Sequence, residues 1–497
     1  MAERRIRILL IYPPSRTQSH GKCPMGIMML AAVLEKAENY EIHLLDANAE
    51  RNKRNTEEII LFANDLKPDV IGMTLVTPLV REAYRLAKGL KGTGAKLIAG
   101  GPHATILPEE PLYQGFDAVV VGEGEQTIDE AARAVLGFIP REGVKGLAYI
   151  GENGKPVINE PRQFVENLDD LPLPARHLVN QNDYGLGEIE DIFSSRGCSG
   201  KCTFCAGHLF GKRFRYRSAR NVLEEIFHLH KINGTTHFHF VDDAMSLNKK
   251  RFEEICQGLI GSSVKFTWSM MTRIDAVGED MLGLAAGAGC RRIDYGVESG
   301  FPDTLKRIRK PHTVEMVRRV IPLTASMGIK PNVFFIVGFP WENRESLDKT
   351  QQHMGELSPY VEEFHPAIAS ILIPFPGTQI YEKYKDQYGF ENWWLSEQRN
   401  FEAPSLKTHP YYETLLFRNG AVLDADFFGY SAEVEKKIRS VFKFMYMHNA
   451  RTRGKITRMK SRFLFWLSET LAGFSPSLEK SMFLAFEKAR NMAKQGF

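Results

Sequence analysis

Cys198-Ser-Gly-Lys-Cys202-Thr-Phe-Cys205 is the stretch on which the reading of this chain turns. Three of the six cysteines in 497 residues fall within these eight positions. Three thiolates on one short loop reach three corners of a 4Fe-4S cube, and soft sulfur ligands suit iron–sulfur or zinc sites. A structural zinc site wants a closed set of four ligands, and cluster electron carriers usually supply four cysteines. Here the fourth is missing locally, which leaves one iron open to a substrate or cofactor. The alternatives are a zinc knuckle completed by His208, or three unrelated buried thiols. His208 follows Cys205 by only three residues, and no second ligand pair sits at zinc-ribbon spacing. Gly197, Gly200 and Gly207 mark an exposed tight loop rather than a core. Cys23, Cys256 and Cys290 read as ordinary buried cysteines, with Cys23 set apart by its place in a ligand loop.

Outward from this loop the chain alternates strands and helices. Apolar, strand-like runs lie near Ile192–Ser195, Thr236–Val241, Lys265–Met271, Arg291–Val297, Pro331–Val337 and Phe364–Ile373. Helical patterns fill the intervals at Ala219–Ile232, Arg251–Ile260, Thr313–Met327 and Glu345–Leu357. Six βα units predict a complete or partial barrel with its chemistry at the strand C-terminal ends. The cysteine loop follows the first of these strands.

Upstream the same alternation runs separately. Strands are expected at Arg5–Tyr12, Glu41–Leu45, Asp69–Thr74, Ala95–Ala99 and Ala118–Val121, with helices at Ile27–Ala37, Thr56–Leu66, Leu79–Leu90 and Thr127–Leu136. This predicts a doubly wound parallel sheet whose ligand sits outside the carboxyl ends of the strands. Gly151-Glu-Asn-Gly-Lys-Pro156 reads as a hairpin turn, and Asn167-Leu-Asp-Asp-Leu-Pro-Leu-Pro174 as a proline-punctuated linker. After about Tyr381 aromatic residues (Trp393, Trp394, Tyr411, Tyr412, Phe427, Phe428) scatter among polar ones, before a basic helical stretch from Val434 through Lys455, Arg458, Lys460 and Arg462 to Phe463-Leu-Phe-Trp-Leu467. The expected division is an α/β chain with a first domain over 1–145, a linker over 146–188, a partial (β/α)6 barrel over 189–385 and a mainly helical C-terminal region over 386–497.

Composition narrows the function classes. Lys and Arg total 64 against 60 acids, a net charge of +4, too mild to argue for nucleic acid. No apolar stretch reaches the length of a membrane span, and Arg4, Arg5 and Arg7 precede too short an apolar run for a signal peptide. A reducing cytoplasm is the expected location.

With the cysteine motif after the first strand of a βα barrel, the sequence resembles the radical S-adenosylmethionine superfamily. The resemblance rests also on Phe204 and on the segments ending the later strands. These are Phe240-Val-Asp-Asp243, Met271-Thr-Arg273, Gly296-Val-Glu-Ser-Gly300, Val337-Gly-Phe-Pro340 and Ile373-Pro-Phe-Pro-Gly-Thr378. They are similar to segments of the large cobalamin-associated and methylthiotransferase branch. The resemblance implies that Cys198, Cys202 and Cys205 hold a 4Fe-4S cluster, and that Phe204, Asp242, Arg273, Glu298 and Ser299 surround S-adenosylmethionine.

That branch often carries a cobalamin-binding domain ahead of the barrel, and residues 5–137 resemble it. The matching segments are Tyr12-Pro-Pro14, Pro24-Met-Gly26, Leu45-Asp-Ala47, Lys67-Pro-Asp-Val-Ile-Gly72, Thr74-Leu-Val-Thr77, Gly100-Gly-Pro-His-Ala-Thr105 and Val121-Gly-Glu-Gly-Glu125. The implied cobalamin-site residues are Ser15, Gly26, Thr74, Leu75, Val76, Thr77, Gly100, Gly101, His103, Gly122, Glu123 and Gly124. The cobalt-ligating Asp-x-His-x-x-Gly motif of cobalamin mutases is absent; Ser15-Arg-Thr-Gln-Ser-His20 does not fit it. The implication is a cobalt without a histidine ligand, with Leu75 or Val76 under its lower face and His103 helping to hold the nucleotide tail. A flavodoxin-like domain with no ligand is the bland alternative.

The resemblance implies that a reduced cluster cleaves S-adenosylmethionine to a 5′-deoxyadenosyl radical. That radical takes hydrogen from an unactivated carbon, and methylcobalamin then methylates it. Alternatives are an oxidative cyclisation or rearrangement with the same cofactors, as in the anaerobic magnesium-protoporphyrin ester cyclase family, and a non-catalytic cobalamin sensor. A methylthiotransferase acting on transfer RNA would carry further cysteines and an RNA-binding barrel that are not evident. Expected partners are a small-molecule substrate and an electron donor such as flavodoxin or ferredoxin; the C-terminal aromatics suit an apolar or lipid-like substrate, with packing of an ordinary helical domain as the blander explanation. No nucleic acid is expected, and the basic tail suits peripheral contact with an anionic membrane face.

Overall fold

The computed structural model describes the chain apart from residues 1–4, 16–22, 38, 50, 185–188, 208–210, 212, 366–370, 397–425 and 453–497. It forms two compact units, Met1–Ile293 with Phe375–Lys383, and Asp294–Pro374 with Tyr384–Phe497.

The first unit opens with a seven-stranded sheet of β1 (Ile6–Tyr12), β2 (Tyr40–Asp46), β3 (Val70–Thr74), β4 (Lys96–Gly100), β5 (Ala118–Val120), β6 (Leu147–Ile150) and β7 (Pro156–Ile158). Its order is β2-β1-β3-β4-β5-β6-β7, parallel through β5 and antiparallel from β5 to β7. The β2-β1-β3-β4-β5 portion is a doubly wound order whose switch point lies between β1 and β3, where such sheets open a crevice for ligand. Ile8 to Ile11 are buried without alternation, as a strand covered by helices on both faces requires. Helices Met25–Lys36 and Ile128–Val135 pack their apolar stripes into the same core. Helix Thr56–Leu66 starts at a capping box between Asn55 and Glu58. The hairpin read at Gly151–Pro156 joins β6 to β7, so residues 147–158, placed in a linker from sequence, extend the sheet by two strands.

The barrel strands follow. In the first unit β8 (Ile189–Ile192), β11 (His237–Phe240) and β12 (Thr267–Thr272) pair in parallel, flanked by the short ribbon of β9 (Ser195–Arg196) and β10 (Arg215–Tyr216). The strand β13 (Cys290–Glu298) begins in the first unit and ends in the second, which continues with β14 (Lys330–Phe335) and β15 (Glu363–Phe364). On β11 and β12 the helix-facing residues Phe238, Phe240, Trp268 and Met270 are buried, with Phe240 edge-on to Trp268. The opposite face is polar: His239 Nδ1 lies 2.8 Å from the Ser269 hydroxyl. The first barrel strand was expected over Ile192–Ser195 and instead ends at Ile192, because the Ser194 and Ser195 amides bind the Asp242 carboxylate rather than prolonging the ladder.

In the second unit Trp393, Trp394, Phe427 and Phe428 are buried, and Trp393 stands edge-on to Trp394 and Phe427. Packing, not an open apolar surface, accounts for these aromatics; Tyr411 and Tyr412 lie outside the described residues. Helix Ala432–Thr452 begins the basic stretch, whose continuation from Lys455 to Leu467 is likewise outside them. Among the described residues no helix is long and apolar enough to cross a membrane.

Candidate active site

The segment entering the cysteine loop is held from several sides. Asp242 accepts hydrogen bonds from the Ser194 amide (2.8 Å), the Ser195 amide (2.7 Å) and the Ser194 hydroxyl. Arg251 donates to the Ser194 carbonyl at 2.9 Å, and Arg217 to the Phe193 carbonyl at 2.8 Å. Arg217 is itself paired with Glu225. Asp242 is therefore buried and committed to protein groups, and burial pushes its carboxyl up against the pull of Arg251 and the serines. Sequence placed Asp242 at S-adenosylmethionine; the structure turns it into the strand-end clamp and places its neighbour Asp243 in the wall of a cavity. Gly197 then turns the chain at φ +78, where a Cβ would meet the Arg213 carbonyl oxygen at 2.5 Å.

In the loop itself the Gly200 amide points at Cys198 Sγ (3.4 Å) and the Gly207 amide at Cys205 Sγ (3.2 Å). Arg273, fixed by Asp275, reaches Ser199 Oγ at 3.1 Å and lies 3.9 Å from Cys198 Sγ. Cys205 sits at the loop surface, yet desolvation, followed by the negative charge of Cys202, Asp243 and Cys198, pushes its thiol up to about 11. Thiolates gathered this way call for a cationic centre. Three cysteines on one loop, with amide donors at Cys198 and Cys205, fit a cluster in which each thiolate takes a different iron. His208 is outside the described residues, and Phe204 is half-buried in the loop.

Beside the loop lies a cavity of about 590 Å³, within the range of cofactor sites. One wall is the carboxyl end of the first sheet: Gly26, Thr74, Gly100, Gly101, Gly122 and Gly124 among Met25, Met29, Leu30 and Ile98. The other wall is Phe193, Ser195, Arg196, Gly197, Ala206, Gly207, Val241 and Asp243, the surroundings of the cysteines. A Cβ added at Gly26 or Gly122 would enter open space, so these glycines leave a cradle for a bulky ligand. Gly101, at φ +90, packs where a Cβ would meet Thr74 Oγ1 at 2.6 Å. The donor-poor, roomy wall suits a large ring such as a corrin.

Of the expected cobalamin residues, the structure gathers Gly26, Thr74, Gly100, Gly101, Gly122, Glu123 and Gly124 around this cavity. Ser15, Leu75, Val76, Thr77 and His103 are not in its lining. Ser15 is buried and its amide binds Asn48. Leu75 is fully buried, so the strand-end turn directs it into the core rather than under a ligand. His103 is wholly buried, with Nδ1 3.1 Å from Thr77 Oγ1 and Nε2 2.9 Å from Glu110, a place in the protein interior rather than against a nucleotide tail. Glu123 lines the cavity but ion-pairs with Arg215 (2.7 Å) and Arg196 (2.9 Å). Sequence reasoning missed Arg196, Arg215, Glu125 and Asp243.

In the second unit Glu298 ends β13 at φ +67 and pairs with Lys310 at 2.9 Å. Lys310, also missed, donates to the Gly296 carbonyl at 3.2 Å. Ser299 is fully buried, its hydroxyl 3.2 Å from Thr350 Oγ1.

Comparison with known proteins agrees with this geometry. The family model for the B12 binding domain matches residues 22–132, and that for the Radical SAM superfamily matches residues 192–354. An uncharacterized methyltransferase of Pyrococcus horikoshii is 31% identical over 389 residues, covering 76% of this chain and 83% of its own. The anaerobic magnesium-protoporphyrin IX monomethyl ester cyclase of Rubrivivax gelatinosus is 26% identical over 426 residues, 81% of this chain and 74% of its own. Among solved structures, the radical S-adenosylmethionine methyltransferase TsrM of Kitasatospora setae, determined with cobalamin and a [4Fe-4S] cluster bound, aligns with TM-score 0.65. That alignment covers 78% of each chain at 20% identity.

Proposed function

Because the chain belongs to the cobalamin-binding branch of the radical S-adenosylmethionine superfamily, we propose that it is a methyltransferase that methylates an unactivated carbon of a small molecule. One observation carries the reading: a single cavity is lined both by the glycine-rich strand ends of the first sheet and by Ala206 and Gly207 beside Cys205. When bound, the reduced cluster would split S-adenosylmethionine to a radical that takes hydrogen from the substrate, and cobalamin would supply the methyl group that replaces it.

The chain's own residues have distinct parts in this. Cys198, Cys202 and Cys205 would ligate three irons and leave the fourth open. The Gly200 and Gly207 amides, with the Arg273 guanidinium near Cys198, would offset thiolate charge and so favour the reduced state of a bound cluster. Phe204 and Arg273 would hold S-adenosylmethionine; within the second unit, Lys310 fixes the Glu298 carboxylate. Asp242 serves by orienting Ser194 and Ser195 ahead of the loop. Gly26, Thr74, Gly100, Gly101, Gly122 and Gly124 would receive cobalamin, and Met25, Met29 and Leu30 exclude water from it. Residues 189–385 would carry the radical chemistry and 386–497 substrate choice, with a flavodoxin or ferredoxin as electron donor in the cytoplasm. Contact of the basic tail with an anionic membrane is part of the same proposal, tested by co-flotation with anionic liposomes at low salt.

The relative that is a cyclase favours a second reading, oxidative cyclisation with the same cofactors. One experiment separates them. Protein reconstituted anaerobically with iron, sulfide and hydroxocobalamin is given a reductant and trideuteromethyl-labelled S-adenosylmethionine. Methyl transfer requires 5′-deoxyadenosine together with trideuteromethyl label on cobalamin. Cleavage to 5′-deoxyadenosine with no label on a fully bound cobalamin would overturn it in favour of cyclisation.

A further inference from the structure

Arg196 stands two residues before Cys198 and faces the cavity. Its fork spans two carboxylates of the opposite wall: Nη1 is 2.9 Å from Glu123, and Nη2 pairs with Glu125. Its guanidinium lies over the Phe193 ring, 4.9 Å from the centroid, which fixes its plane. Glu123 is fixed in turn by both nitrogens of Arg215 (2.9 and 2.7 Å) and by the Val165 amide at 3.0 Å. Arg215 also donates to the Val165 carbonyl at 2.6 Å and lies over Phe164. Arg196 and Arg215 are partners across the β9–β10 ribbon. Two arginines and two glutamates thus form a neutral, nearly dry set, their side chains between 4% and 12% exposed.

The set has a directional consequence. Glu123 and Glu125 alternate with Gly122 and Gly124 in the turn after β5, which forms the ligand-receiving wall. Arg196 belongs to the wall that carries the cysteines. An arginine fork that bridges two fixed carboxylates specifies both distance and angle, which a lysine's single ammonium does not. We propose that Arg196 is a positioning residue whose paired contacts with Glu123 and Glu125 set the separation between the cysteine-bound cluster and the ligand of the cavity. This rests on the reading that the cluster and cobalamin occupy these sites.

The test reads separation directly and needs no substrate. Reconstituted protein carrying hydroxocobalamin is reduced with dithionite, and the microwave power saturation of the cob(II)alamin resonance is recorded with the cluster oxidised and with it reduced. A reduced cluster relaxes the cobalt spin with a steep inverse dependence on distance. Arg196→Lys should retain wild-type iron and cobalt content while the relaxation enhancement falls roughly twofold, as a displacement near an ångström gives under an inverse sixth-power law across a corrin-sized gap. Glu125→Gln, which leaves the Glu123 arm intact, should fall less. Wild-type relaxation in both variants at full cofactor content would overturn the proposal. If Arg196→Lys loses its cluster, Glu125→Gln decides: a reduced enhancement upholds the proposal, while unchanged relaxation, or loss of cofactors there too, refutes it. Wild-type protein that retains no iron or no cobalt would instead refute the underlying cofactor reading, before any variant is examined.

Discussion

The two walls of the cavity are built on opposite principles. The wall from the first sheet is made by subtraction, with glycines at 26, 72, 100, 101, 122 and 124 and apolar side chains between them. The wall around the cysteines is made by attachment: Ser194 and Ser195 are tied to Asp242, Phe193 to Arg217, and Arg196 to Glu123 and Glu125. A large, mostly neutral ligand needs room, and a group held by three thiolates needs a fixed loop. The first wall should therefore be sensitive to volume, the second to charge and ligand identity.

Breaking the second wall has the largest expected effect. Cys202→Ala should abolish 5′-deoxyadenosine formation and the visible iron–sulfur absorption while cobalamin binding persists, measured by product assay and by metal content. Next comes Glu123→Gln, which halves the carboxylate charge facing two buried arginines. Stability should fall by about 3 kcal/mol, because removal of one partner leaves buried charge uncompensated. Thermal unfolding should then occur roughly 3–5 °C lower. The first wall is broken by volume instead: Gly26→Phe fills the cradle from a helix that tolerates the residue. Cobalamin affinity should drop roughly tenfold to a hundredfold, the scale of overpacking costs, with iron content unchanged.

A fourth prediction sharpens the lesson about partners with a contrast between two buried glutamates. Burial alone would push Glu123 up, but Arg215 and Arg196 hold its carboxyl below the usual range. Glu342 is buried at the turn after β14, where its carboxylate accepts from the Gly338 and Phe339 amides, and burial pushes it up to about 8. The folded protein keeps that proton up to about pH 8, whereas the unfolded chain releases it near 4.5. Unfolding therefore releases a proton between these values, and stability drains away as pH rises through that window, levelling above it. Glu342→Gln should remove about 1 kcal/mol of this loss per pH unit, seen as a flatter difference in melting temperature between pH 5 and 8.

Much of this was legible from sequence because it depends on local pattern. The apolar run Ile8–Ile11, the glycines at strand ends and the three-cysteine spacing each carry their meaning within a few residues. The rest depends on which way a side chain turns or on a distant partner. Asp242 and Asp243 are adjacent acids past the end of β11, beyond the reach of strand parity, and only the three-dimensional fold shows one facing inward and one facing the cavity. Arg196 reads as an ordinary basic residue, since its partner Glu125 lies 71 positions away. His103 was assigned to the nucleotide tail because its glycine-rich context was read without Glu110 and Thr77, which occupy both its nitrogens. Trp393 and Trp394 suited either an apolar substrate or the packing of a helical domain, because aromatic packing needs the same residues as aromatic binding, and only their burial decides for packing.

The central claim is that one cavity joins a radical-generating cluster to cobalamin. It is tested most directly by separating the products of S-adenosylmethionine from the reconstituted, reduced wild type, Cys202→Ala and Gly26→Phe. The account predicts 5′-deoxyadenosine and S-adenosylhomocysteine from the wild type. It predicts no 5′-deoxyadenosine from Cys202→Ala, and 5′-deoxyadenosine with little S-adenosylhomocysteine from Gly26→Phe. Undiminished 5′-deoxyadenosine from Cys202→Ala, or neither product from wild type with both cofactors bound, would contradict it.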